Sequence, residues 1–420
     1  MASQFLRFLR PRPRSLLLIL VLLALQLSAS YLVYHRPPSS HHAPAPLNTH
    51  TLLAAVDAAL EHALQRALAH ARSSAAPASA AAAWAHAPRA PRNASAARAR
   101  DALCAHLQGQ TLHLAGPRGT TYALHARLLA LLSPAGAPAV CPGPATCPLH
   151  ALCHAPAAPR PLLPADIAGT RTALLRYVPA DTLALPPTPV RFPTPVVDPR
   201  TGVRAVDRAW ARGAARAALA VLGRAPLPAP AWSYAPGARL AWADALHGAG
   251  DADAHALAPL FAGVPDVPAG DGAGPSARAV RAALHTTVRV FVPEVLATLG
   301  ALRDGVLVRG RQPVPVVWHG SWYLPLGAGG DLGRLLQRAD AAQDPWNAYY
   351  NAQVYMHDRL LAGLLPEYGI RYIPLSGAAN ASYEGAGRGE GENADALGKS
   401  FLDGLADALD AWPSPAAPVA

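Results

Sequence analysis

The chain has 420 residues, 51% of them hydrophobic and 15% charged, with 44 prolines and 33 glycines. That length builds one large domain or two ordinary ones around a sizeable core, and the proline and glycine content asks for long loops beside it. The net charge of +10 does not mark a nucleic-acid binder: residues 1–36 hold Arg7, Arg10, Arg12, Arg14 and Arg36 and no acid, so the other +5 is spread over the remainder without a dense basic run interleaved with aromatics.

Ser15–Val33 runs 19 residues without a charge. At 1.5 Å per residue a helix of that length just spans a hydrocarbon core of about 30 Å. Four arginines precede it and only Arg36 follows closely, which keeps the N-terminus cytoplasmic. The pattern predicts a signal-anchor; a cleaved signal peptide, with Ser28-Ala29-Ser30 as the processing site, is the alternative. Both put the remainder in the lumen of the secretory pathway (Golgi or ER) or at the cell surface. Two glycosylation sequons, at Asn93 and Asn380, agree with that side of the membrane.

The expected order is a tail (1–14), an anchor (15–33), a stem (34–100) and a luminal domain (101–420). In the stem, Leu52, Leu53, Val56, Leu60, Leu64 and Leu68 recur at helical spacing, so a helix runs from Thr49 or Thr51 to about Arg72. That helix is expected to lie on the domain rather than to pair as a coiled coil. Ser73–Arg100 is Ala/Pro/Arg-rich and reads as a linker.

In the domain, short apolar runs alternate with helical segments. Strands are predicted at 111–115, 218–222, 314–318 and 370–375. Helices are predicted at about 120–132, 206–215, 276–302 (bent or broken at Pro293), 347–365 and 393–411. Residues 133–205 read as loop and 235–275 as a surface insertion. Alternation of this kind implies an α/β fold with a parallel sheet. Ligands of such sheets sit beyond the carboxyl ends of the strands. That rule selects Gly116–Tyr122, Gly223-Arg224, His319–Trp322 and the chain after Ser376.

Around the first strand end, Gly116, Arg118, Thr120, Tyr122 and His125 are candidate substrate contacts, and Thr121 a candidate nucleophile. Glycines permit the tight turn, and the free N–H groups of the helix start favour an anion or a developing oxyanion. An ordinary capped turn explains the same residues. In Trp318-His319-Gly320-Ser321-Trp322-Tyr323 the imidazole can act as base, Ser321 as a second candidate nucleophile and Trp322 as a stacking face. A histidine buried among tryptophans is the competing reading. Arg224 and Trp232, after the second strand, complete the candidate binding residues.

Cys104, Cys141, Cys147 and Cys153 are even in number and predict two disulfides of unreadable connectivity. The five-residue gaps, with His150 and His154 interleaved, do not match a usual zinc knuckle, so no metal and no cofactor is expected.

Leu107-x-Gly109-x-x-Leu112-x-Leu114-x-Gly116 followed by a helix resembles the first block of the PC-esterase branch of the SGNH hydrolases. That branch includes the plant trichome-birefringence-like and the fungal polysaccharide O-acetyltransferases. Ala218–Pro228, Val314–Tyr323 and Asn351–Ser376 resemble its later blocks in order. The runs GPRGTTYALH, CPGPATCPLHALC, WHGSWY and YNAQVYMHDRLL are similar to uncharacterised fungal membrane-anchored members. The resemblance implies a flavodoxin-like three-layer sandwich that transfers acyl groups to or from a glycan or polysaccharide.

The chain departs from that family at both ends of its triad. Pro117 and Arg118 stand where the Gly-Asp-Ser turn would carry Asp and Ser, and no histidine follows His357. Either the site is rebuilt with Thr120, Thr121 or Ser321 as nucleophile and His319 as base, or the fold is kept only to bind glycans or a partner, or the sequence has a lost or misread C-terminal exon. A nucleotide-sugar transferase shares the anchor, stem and α/β layout, but its Asp-x-Asp signature occurs only as Asp251-Ala252-Asp253 in the presumed insertion.

Overall fold

The computed structural model describes residues 49–73, 96–134, 149–155, 164–183, 210–227, 257–265, 275–309, 312–324, 345–376 and 390–410. All belong to one compact unit, Asn48–Ala420. Its strands are β1 (Thr111–Gly116), β2 (His150–Leu152), β3 (Ala173–Pro179), β4 (Leu219–Gly223), β5 (Val308–Arg309), β6 (Gln312–Pro313), β7 (Val316–His319) and β8 (Arg371–Ile373). Six of them form one sheet in the order β2-β3-β1-β4-β7-β8, and β5 with β6 makes a small hairpin. Only β2 runs antiparallel; the other five are parallel, in the chain order 2-1-3-4-5.

The helices are α1 (Thr49–Ser73), α2 (Ala96–His106), α3 (Ala123–Leu132), α4 (Trp210–Ala214), α5 (Pro275–Thr286), α6 (Val292–Arg303), α7 (Pro345–Leu364) and α8 (Glu390–Asp410). Helices α2, α3 and α8 cover one sheet face, where Leu112, Leu114, Val221 and Val317 share a core with Leu128, Leu129 and Phe401. Alternation sends His113 to the other face. There α4 passes so close that a Cβ on Gly213 would lie 2.5 Å from its ring. Helices α5, α6, α7 and α1 pack on one another. They are tied to the residues after β4 by the buried Arg224–Glu294 ion pair and by Gln353, whose amide bonds the N–H and C=O of Leu227 at 2.8 and 2.9 Å. Strands buried from both sides read as continuous apolar runs, as LAVLG does.

The domain thus has the predicted α/β class, with a mostly parallel sheet. The helix expected over 49–72 also forms, and it packs on the other helices of the same compact unit. Leu52, Val56 and Leu60 are buried, and Ala59, Ala63 and Ala67 let the helix approach closely. Asp57 accepts from Tyr355 at 3.2 Å and pairs with Arg359, and Arg72 pairs with Glu367 at 3.0 Å.

Four expectations need correction. The region read as loop, 133–205, contains β2 and β3. ALLRYVP has no clean period of two, because its Leu174 and Leu175 are buried on opposite faces of a covered strand. The last residues of the expected linker, from Ala96, are already helix α2. Pro293 does not break the long helix: the chain stays helical from Pro275 to Arg303, and the irregularity is a wide π turn at Thr287–Phe291 just before the proline, which lacks an N–H for the ladder. Residues 257–265 of the presumed surface insertion pack on the domain, with Phe261 buried and its carbonyl accepting from Arg289.

One disulfide joins Cys104 on α2 to Cys153 after β2, with Cα atoms 5.7 Å apart. Cys141 and Cys147, the sequons at Asn93 and Asn380, Asp251-Ala252-Asp253 and the Ser15–Val33 segment lie outside the described residues. Among the described residues no helix is long and apolar enough to cross a membrane.

Candidate functional site

Strands β1, β4 and β7 end side by side at Gly116, Gly223 and His319, with Gly223 and His319 in register. After β1 the chain passes Pro117 and enters a π turn, Arg118–Tyr122, that leads into α3. The Pro117 carbonyl accepts from the N–H of Thr121 at 2.9 Å and of Tyr122 at 3.4 Å. The N–H groups of the three residues before them begin the helix and have no intrahelical acceptor.

This turn swings Thr121 back over the strand end. Its Oγ1 lies 2.9 Å from Nε2 of His319. The other ring nitrogen, Nδ1, is 2.8 Å from the carbonyl oxygen of Gly320. A carbonyl can only accept, so Nδ1 carries the proton and Nε2 is the acceptor, which makes Thr121 the donor. The chain hydroxyl, imidazole, carbonyl therefore has one direction, with the imidazole in the form that can take a proton from the threonine.

Two glycines make room for the pair. A Cβ on Gly116 would fall 2.1 Å from Thr121 Oγ1, and one on Gly223 would fall 2.0 Å from His319 Nε2. Both partners are 0% exposed. The Phe401 ring, from α8, stands at 77° to the imidazole with centroids 6.0 Å apart. Burial holds the His319 pKa down at about 4, because a charged imidazole would lose its hydration; the Gly320 carbonyl partly offsets this.

Gly320 is itself clamped. Its N–H donates to the Ile373 carbonyl at 2.9 Å, across to β8. A Cβ on it would meet the Tyr372 hydroxyl at 2.4 Å and Asp358 Oδ1 at 2.9 Å. Asp358, on α7, accepts from Tyr372 and from Ser376. Its carboxyl pKa is pushed up by burial and held back by those two donors.

The other candidates divide into groups. Arg118 and Thr120 share the π turn with Thr121, with the Thr120 hydroxyl buried. Tyr122 and His125 belong to an aromatic cluster with Tyr177 and His150, and Tyr177 donates to the Gly116 carbonyl at 3.0 Å. Desolvation by burial lowers the His125 pKa to about 4. Ser321 is buried beside Tyr350 and has no hydrogen bond to His319. Trp322 carries the Arg127 guanidinium 5.8 Å from its ring centre. Arg224 turns into the second helix layer, where it pairs with Glu294 and lies 5.5 Å from the Phe291 ring. Phe291 stacks on His357 at 3.4 Å and 7°. Trp232 lies outside the described residues.

The structure therefore brings Thr121 and His319 together and leaves Ser321 and Arg224 apart from them. Asp358, Tyr372 and Phe401 are not signalled by the sequence alone, although Asp358 directly follows His357 in the run YNAQVYMHDRLL. Among the described residues no cluster of His, Cys, Asp and Glu has the makings of a metal site. Set against models of known protein families, curated proteins and solved structures, the chain finds no match in any of the three.

Proposed function

We propose that this unit is an SGNH-type acyl-transfer domain of the secretory pathway, anchored by its N-terminal segment and acting on acylated glycans, with Thr121 as nucleophile and His319 as general base. One observation carries the reading: the 2.9 Å Thr121–His319 hydrogen bond, with its direction set by Gly320, at the carboxyl ends of the central strands. The parallel order 2-1-3-4-5 supports it, since that is the flavodoxin-like order.

The chemistry follows from the pair. Oγ1 of Thr121 attacks the ester carbonyl carbon while Nε2 of His319 takes its proton. The ester C–O bond breaks, and the leaving sugar oxygen receives that proton. Water or a second sugar hydroxyl then releases the acyl group by the reverse sequence. The free N–H groups at the start of the helix are donors for the transient oxyanion.

Both residues are 0% exposed, so substrate access requires the packing around them to open.

The second reading is a glycan- or partner-binding protein without turnover. The complete burial of both residues favours it. Pro117 and Arg118 in place of the family's Asp and Ser, and the absence of a histidine after His357, favour it too. The deciding experiment is release of acetate from p-nitrophenyl acetate and from acetylated oligosaccharides by the purified full chain. Turnover that disappears in both Thr121→Ala and His319→Gln supports the enzyme. Turnover that survives in both removes the pair from the mechanism. Glycan binding with no turnover favours the second reading.

A further inference from the structure

Asp358 lies outside the Thr121–His319 pair, yet its contacts lead there. The imidazole is held at both nitrogens, and the bond from Nδ1 to the Gly320 carbonyl at 2.8 Å is the one that fixes its tautomer. The Gly320 residue, whose carbonyl this is, is in turn held at its N–H and at its Cα. Its N–H is fixed to the β8 backbone at 2.9 Å, and its Cα lies flat against the Asp358–Tyr372 pair, so closely that no larger residue fits. Asp358 bridges three elements: it sits on α7, takes the Tyr372 hydroxyl from β8 and takes the Ser376 hydroxyl from the residues after it.

We infer that Asp358 is a positioning residue for His319, acting through Gly320, with Tyr372 and Ser376 as its own supports. The inference rests on the proposed role of His319 as general base. Held as it is, the Gly320 carbonyl keeps the proton on Nδ1 and leaves Nε2 free to accept from Thr121. If Gly320 shifts and the Gly320–Ser321 peptide rotates, the carbonyl leaves the ring plane, and the tautomer with the proton on Nε2 becomes accessible. In that form Nε2 donates instead of accepting and cannot take the threonine proton. A carboxylate suits the task because it accepts two hydroxyl donors at once. An amide at the same place offers one oxygen and one NH2, so only one of the two hydroxyls keeps an acceptor. The ordinary alternative is that Tyr372 and Ser376 merely satisfy a buried carboxylate. In that case the ring of His319 is indifferent to Asp358.

The test uses the full chain with 15N-labelled histidine rings, the His319 signals being assigned by their loss in His319→Gln. Wild type is expected to show the Nδ1-protonated neutral form at pH 7. Asp358→Asn is expected to show a mixture of tautomers, and Tyr372→Phe and Ser376→Ala smaller shifts in the same direction. Where esterase turnover is present, Asp358→Asn lowers kcat by about 10- to 100-fold, the scale of a small misplacement of a catalytic group, with KM unchanged. His319 ring signals identical to wild type in folded Asp358→Asn, Tyr372→Phe and Ser376→Ala overturn the inference. Should Asp358→Asn not fold, unchanged His319 signals in the two milder variants overturn it by themselves. A wild type without turnover whose tautomer still shifts in the variants keeps the positioning role and removes the enzyme reading.

Discussion

Thr121 and His319 stand 198 residues apart in the chain and 2.9 Å apart in the fold, joined by a buried hydrogen bond from the hydroxyl to Nε2. Neither side chain reaches the other without the two glycines beneath them. Gly116 leaves the volume that Thr121 Oγ1 fills, and Gly223 the volume that the imidazole fills.

Removing the hydroxyl while keeping the shape isolates that bond. Thr121→Val leaves Nε2 buried with no donor, a loss of about 1–3 kcal/mol. Urea unfolding measures it. His319→Gln combined with Thr121→Val should cost less than the sum of the two single changes, since the second removes a partner already lost.

Acid should unfold the domain in a defined window. In the unfolded chain His319 takes a proton near pH 6.5, but in the fold it stays neutral down to about 4. Below 6.5 the unfolded state therefore binds more protons, and stability is present above that pH and lost as pH falls toward 4. At about 1.4 kcal/mol per unit the loss is roughly 3 kcal/mol from this residue. His125, held at about 4, and His113, held at about 3, act with the same sign. Asp358, raised by burial, works against them. Urea melts at pH 7, 6, 5 and 4 should show the decline, and His319→Gln should flatten it.

Gly223→Ala places a methyl 2.0 Å from His319 Nε2 and within 2.3 and 2.6 Å of two ring carbons, so the buried imidazole must shift. Overpacking of this kind costs about 1–3 kcal/mol or more. The expected signature is a lower Tm together with loss of the His319 Nδ1-protonated signal. Gly119→Ala, in the same region, meets nothing within 4 Å and should leave both unchanged.

Arg224 and Glu294 form an ion pair whose side chains are 0% and 4% exposed. Glu294→Ala deprives a buried guanidinium of its carboxylate, at a cost of about 3–5 kcal/mol. The double change Arg224→Met with Glu294→Leu should recover much of that, because two apolar side chains need no hydration replaced. Thermal unfolding of the three proteins checks the order.

Much of the architecture was legible along the chain. The strand at 111–115 is followed by a turn and a helix because Gly116-Pro117 ends an apolar run. The stripe Leu52, Val56, Leu60 shows a helix that needs a surface to lie on. The rule that parallel sheets place their chemistry at carboxyl strand ends picked out Thr121 and His319 before any contact was visible. Strand β3 was not legible, because a strand covered on both faces loses the alternation that marks a half-exposed one. Nor was Arg224's direction: a strand-end arginine points toward a ligand or into a helix layer with equal ease, and Glu294 decides between them.

Local pattern thus determined most of the elements, the α/β class and the strand ends that carry polar residues, since those depend on neighbours a few positions away. The tertiary structure decided which of those residues meet, which are sealed and which are held by a third. The Thr121–His319 bond, the Phe401–His319 ring contact and the Asp358 contact with Gly320 each join segments at least 38 residues apart. Their geometry follows from strand order and helix packing, and no local preference of threonine, histidine or aspartate encodes it.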